Sequence, residues 1–168
     1  RLRFLGPFSM GFKVVHDTLT LGYYCAWYGE ASLACSSSGE ATLSLPSSGD
    51  QLSLGTATAG VWDEVLITRD DAGVMRSFRA GLQQDEIVYS LPFGGNEWGS
   101  ALLTIGRHPA ESTTTFRGKM SSFFMADAAI HTADYTPSPG IPETTLQVLD
   151  VPFAASEIID YVTAASES

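Results

Sequence analysis

Four places in this chain set carboxylates close together: Asp63-Glu64, Asp70-Asp71, Asp85-Glu86 and Glu157-Ile158-Ile159-Asp160. Two carboxylates can cleave a glycosidic bond when they flank it on one face of a sheet, roughly 5–9 Å apart. Neighbours on a strand point to opposite faces, which separates Asp63 from Glu64. None of the four places has the required arrangement, so no catalytic residue and no enzyme activity is expected. His16, His108 and His131 are far apart and lack the spacing of a transition-metal site. The Gly-rich "LPFGGNEWGS" lies between strand signals and does not open a helix, as a phosphate cradle would. Cys25 and Cys35 flank "AWYGEASLA". A hairpin there could bring them together as a disulfide or leave two buried thiols, and the sequence leaves both open.

The aromatic residues offer more. "GYYCAWYG" holds Tyr23, Tyr24, Trp27 and Tyr28 within one short segment. Strict alternation puts Tyr24, Ala26 and Tyr28 on one face, and Tyr23, Cys25 and Trp27 on the other. Only one set is core in a half-buried sheet, and the other could stack on sugar rings or fill a protein interface. Trp98 stands in the Gly-rich loop without an evident core role. Trp27, Tyr28 and Trp98 are therefore the candidate glycan-binding residues.

The elements that must position these groups read as strands almost throughout. "PFSMGFKVV" sets Phe8, Met10, Phe12 and Val14 on one face. "TLTLGYYCAWYG", "ASLACSSSG" and "EATLSLPSSGDQLSLGTA" follow, punctuated by Gly, Ser and Pro. Val65 and Ile67 alternate with Leu66 ahead of "DDAG", where Gly73 supplies a positive φ for a hairpin turn. "VMRSFRAG" returns with Val74, Arg76 and Phe78 on one face and Met75, Ser77 and Arg79 on the other. "ALLTIG" and "TTTFRGKMSSFFMA" add two more strands. Short strands at this spacing predict an all-β antiparallel sandwich of at least ten strands. Its core should hold Phe12, Val65, Ile67, Phe78, Ile105 and Phe124.

"GVWDEVLITRDDAGVMRSFRAG", from Gly60 to Gly81, resembles the laminin G-like and concanavalin A-like lectin/glucanase family. Trp62, Val65, Ile67, Gly73, Phe78, Ala80 and Gly81 fill that family's pattern, except that Ala80 stands where Asn or Asp is usual. "LLTIGRH" and "TTFRGKMSSFFMADAAI" resemble its central strands, and "HTADYTPSP" resembles the exit of phage and bacterial members. The resemblance covers residues 53–139 best, extends back to Phe8, and fails beyond Pro139. It implies a jelly roll of two antiparallel sheets, with Trp62 capping the core at a sheet end. Gly81 and Gly118 should sit where backbones approach closely. Hydrolytic members carry Glu-x-Asp-x-x-Glu, which is absent here. Many members hold calcium between loops, so Ca2+ is the one cofactor the resemblance leaves open, with Asp70, Asp71, Asp85 and Glu97 as oxygen donors.

Composition limits the partners. The 168 residues carry a net charge of −10, and Lys13 and Lys119 are the only lysines. Nucleic acid is excluded for want of a basic stripe, and anionic membranes would repel the chain. No apolar run reaches the roughly 18–20 residues of a membrane span. The start, "RLRFLGPFSMGFKVV", is interrupted by Pro7, Gly11 and Lys13 and is not read as a signal peptide. Residues 1–139 are read as the jelly-roll domain and 140–168 as a C-terminal strap or tail. "YTPSPGIPE" should run as a strap, "TTLQVLDV" as a last strand, and "AASEIIDYVTAA" as a short helix with Ser156 as its N-cap. The tail carries too many apolar residues for a solvated end. It should pack on the domain or, preferably, on a neighbouring subunit of a homo-oligomer. The leading functional expectation is a non-enzymatic structural or adhesion protein on a particle surface, such as a phage capsid decoration or fibre protein. The alternative is a glycan-binding lectin module of a secreted or cell-surface protein. The expected location is the virion surface or the extracellular space.

Overall fold

Apolar alternation makes β1 (Phe8–His16) an interior strand, with Phe8, Met10, Phe12 and Val14 all turned into the core. The computed structural model describes residues 4–27, 31–93, 103–108, 114–137 and, as backbone alone, 147–151. β1 is followed by β2 (Gly22–Trp27), β3 (Ala31–Cys35), β4 (Glu40–Leu45), β5 (Asp50–Thr56) and β6 (Trp62–Arg69). Then come β7 (Val74–Arg79), β8 (Leu82–Val88), β9 (Leu103–Ile105), β10 (Gly118–Ala126) and β11 (Gln147–Val151). The strands form a six-stranded sheet ordered β11-β10-β1-β6-β7-β8 and a five-stranded sheet ordered β5-β4-β3-β2-β9. Every ladder between named strands is antiparallel. This is the two-sheet antiparallel sandwich that the strand pattern predicts; of the six core residues named above, Phe12, Val65, Ile67 and Ile105 lie between the sheets, whereas Phe78 and Phe124 are buried on the outer face of the six-stranded sheet.

The core between the sheets joins β1, β6 and β10 to Tyr24, Trp27, Leu33, Leu43, Leu52 and Leu54 of the opposite sheet. A second, smaller cluster lies on the outer face of the six-stranded sheet. There Leu66, Phe78 and Phe124 pack beneath Ile130 and Tyr135. Residues 127–137 run across this face as a strap. Ser9 Oγ donates to Ala128 O at 2.6 Å, Thr68 Oγ1 donates to His131 O at 2.9 Å, and Tyr135 N–H donates to Gly81 O at 2.8 Å. The prolines beyond Pro137, the apolar tail outside β11 and the helix expected around Ser156 lie outside the described residues. Within the tail, β11 pairs with β10 of its own chain.

Turn chemistry follows the sequence closely. The β6–β7 turn is closed by Asp70, whose Oδ1 accepts the N–H groups of Ala72 and Val74, and Gly73 takes φ +79°. β7 and β8 meet at a two-residue loop between the paired Arg79 and Leu82. Ala80 and Gly81 both have positive φ, 50° and 80°, which is the left-handed geometry of a type I′ turn. Asn or Asp adopts that conformation more easily than Ala. A side chain at Gly81 would run into Tyr135 O, and one at Gly118 into Val15 O, so both glycines permit the expected close approaches.

Two expectations need correction. Alternation in β2 is broken by a register shift between Tyr23 and Cys25. The bulge turns Tyr24, Cys25 and Trp27 into the core together, and Tyr23 stays half-buried beside His108. Cys25 therefore faces Leu33 across the ladder, Cys35 faces Gly22, and both thiols are free and buried. Trp62 does not cap the core. Inward-facing Val65 and Ile67 fix the parity of β6, which puts Asp63 inside and Trp62 outside, 53% exposed.

Candidate functional site

The open part of the six-stranded sheet's outer face is built by three central strands. Residues opposite one another on neighbouring strands share a face. In one row Trp62 of β6 is paired with Val15 of β1, and Val15 with Lys119 of β10. In the next row Glu64 is paired with Lys13, and Lys13 with Ser121. Val15 is 8% exposed between its two larger neighbours, whereas Lys119 is exposed. The strap borders the patch, since Tyr135 Oη donates to Glu64 Oε1 at 2.8 Å. Burial together with this carboxylate pushes the Tyr135 hydroxyl pKa well above its ordinary value, so it remains a donor. The result is an exposed indole beside ammonium, carboxylate and hydroxyl groups on a rigid sheet. Trp62 is the only exposed Trp, Tyr or Phe among the described residues.

This arrangement depends on a bulge in β10. The register slips between Gly11 and Lys13, where Ser122 takes φ +54°. The extra residue lets Phe123 face the core while Phe124, Ser121 and Lys119 all face outward.

Behind the patch, inward side chains of β1, β6 and β7 meet Tyr24 of β2 in a buried polar group. Arg79 Nη1 lies 2.6 Å from Asp63 Oδ2, and its Nε donates to Leu54 O at 2.7 Å. His16 Nε2 lies 2.8 Å from Tyr24 Oη, and Phe116 packs edge-on against the imidazole. Burial lowers the His16 pKa, and it raises those of Tyr24, Cys25 and Cys35. These groups are neutral at pH 7, and the thiols lack the thiolate character of a nucleophile. Ser77 Oγ donates to Ser53 O, and Asp85 Oδ2 accepts from Ser53 N–H at 2.9 Å. Side chains of β7 and β8 thus satisfy backbone groups of β5, where the edges of the two sheets approach each other.

Asp63, Glu64, Asp70, Asp85 and Glu86 are engaged structurally, and Glu157 and Asp160 lie outside the described residues. Asp63 and Glu64 lie on opposite faces as expected, one on Arg79 and the other on Tyr135. Asp70 and Glu86 both bind Arg76, at 2.7 and 2.8 Å, and the Arg76 hydrogen bond lowers the Asp70 pKa. Among the described residues no three His, Cys, Asp or Glu side chains group as metal ligands. Glu97 lies outside the described residues. Of the candidate stacking residues, Trp27 is 1% exposed, with its ring edge-on to Phe93, and presents no plane to solvent. Tyr28 and Trp98 lie outside the described residues. Sequence reading misplaced Trp62, although the parity of Val65 and Ile67 already put it on the outer face.

No family model matches the sequence, and no curated protein matches it. Its fold, however, is that of a jelly-roll, lectin-like sandwich. A Bacteroides ovatus protein with a proposed carbohydrate-binding role superimposes with TM-score 0.63 and 18% identity, over 76% of this chain and 39% of that one. The chain thus spans about two-fifths of that protein's length. A heptameric SAP-like pentraxin from Limulus polyphemus superimposes with TM-score 0.55 and 17% identity, over 77% of this chain and 70% of that one.

Proposed function

We propose that this chain is a glycan-binding, lectin-like module whose ligand face is the outer patch around Trp62. The observation that carries this reading is the exposed indole, set among polar groups on a sheet that cannot easily deform. A sugar ring presents an apolar C–H face and a polar rim, and such a patch offers a partner for each. The fold likeness to a protein with a proposed carbohydrate-binding role supports the same reading. Within the jelly-roll folds, the residues from Trp62 to Gly81 favour the laminin G-like or concanavalin A-like branch.

The proposed role is binding and not hydrolysis, because Asp63, Glu64, Asp70 and Glu86 serve as structural acceptors. A single shallow site binds weakly, so we also propose a homo-oligomer that gains avidity, working at a cell or particle surface. The likeness to a heptameric pentraxin is compatible with that. The virion-display reading has no comparable support among the structural likenesses. The test is affinity electrophoresis of the full chain in gels cast with soluble polysaccharides. Retardation by at least one polysaccharide, lost in Trp62→Ala, is expected. No retardation in any gel, or retardation unchanged in Trp62→Ala, would overturn the reading.

A further inference from the structure

The placement of positive charge on this chain is uneven. The protein carries nine Lys and Arg against nineteen Asp and Glu. Among the described residues Arg69, Arg76 and Arg79 are committed: Arg69 donates to Phe4 O, Gly6 O and Leu91 O, and the other two bind carboxylates. Both lysines stand on the outer face beside Trp62. Lys119 shares its row and Lys13 the next, and exposed Arg117 precedes β10 at the same end. Lys119 and Arg117 make no ion pair among the described residues. The negative group in these rows, Glu64, is already bound by the Tyr135 hydroxyl and lies cross-strand from Lys13.

Neutral sugars need hydrogen-bonding groups of both kinds but no net charge. On a chain of net charge −10, an anion is repelled at long range unless cations gather where it lands. We infer that the Trp62 face selects an acidic glycan, a pyranose bearing a carboxylate or sulfate, with the ring on Trp62 and the anionic group on Lys119. This rests on the glycan-binding reading above and narrows it. Lys119 lies two strands from Trp62, about 10 Å, and its four-carbon stem shortens that distance to the reach of one substituted ring. Ser121, across from Lys13, supplies a hydroxyl for the sugar rim.

The test uses the full chain on an array of neutral, uronate-bearing, sialylated and sulfated oligosaccharides, with the binders titrated by calorimetry at low and high salt. Acidic glycans should dominate the binders, and their affinity should fall as salt rises. Lys119→Gln should weaken them about tenfold or more, as for loss of a charge-assisted hydrogen bond, while Lys119→Arg should retain most of the affinity. The carboxylate and sulfate arms identify which anion is read. Binding of neutral glycans that depends on Trp62 but not on Lys119 would overturn this inference and leave the glycan-binding reading standing. Binding of no glycan, or binding indifferent to both residues, would overturn both.

Discussion

Replacing Arg79 with Met keeps most of the side-chain volume and removes its charge. In the native protein Arg79 is 7% exposed, bonded to Asp63 at 2.6 Å and to Leu54 O at 2.7 Å. The variant leaves the Asp63 carboxylate facing inward without its cation, and Leu54 O without a donor. Breaking one side of a buried pair costs about 3–5 kcal/mol, most of it the penalty on the partner left behind. For a chain of this length each kcal/mol lowers Tm by about 2–4 °C, so a loss of about 6–20 °C is expected. Urea unfolding followed by the fluorescence of buried Trp27 measures the same quantity. Asp63→Asn should cost less than Arg79→Met, and the double variant should lose less than the sum, because the uncompensated charge is gone. A loss under about 1 kcal/mol for Arg79→Met, or simple additivity in the double variant, would refute the claim that this pair is coupled within the sandwich.

Ala80→Asn should raise stability by about 0.5–1 kcal/mol in urea titration, because Asn takes the left-handed turn conformation with less strain than Ala. Gly81→Val should cost several times as much in the same assay, since its side chain meets Tyr135 O and its φ is +80°. Between about pH 7.5 and 5.5 stability should fall, because the buried His16 has a pKa below the ordinary value of about 6.5 and the unfolded chain binds the proton first. His16→Gln should flatten that part of the profile, and an unchanged slope would show that His16 does not set it.

Much of the sandwich was legible because period-two alternation is a strong signal. Phe8, Met10, Phe12 and Val14 could only serve one buried face, and "DDAG" could hardly be anything but a turn. One of the readings that failed did so at an interruption of that period. The bulge after Tyr23 turned Tyr24 inward, and no residue type in "GYYCAW" announces it. Trp62 was drawn into the core by its size, although the alternation of its own strand placed it outside. The patch itself was nearly invisible in sequence. Lys13, Trp62, Glu64 and Lys119 meet only through the β6-β1-β10 order, and nothing local encodes which strands become neighbours.

The bulge at Ser122 also bears on how this strand can change in length. A strand has a parity, much as a message has a reading frame, and most single-residue losses within it exchange inside for outside downstream. In β10 the surplus residue is already present. Deleting Ser122 would restore regular pairing while Phe123 kept facing in and Lys119 and Ser121 kept facing out. Deleting Gly11 from β1, where no surplus exists, would send Lys13 toward the core or the inward phenylalanines toward solvent. Shortening at residue 122 should therefore yield a folded protein with its outer face intact, whereas shortening the partner strand by the same amount should not.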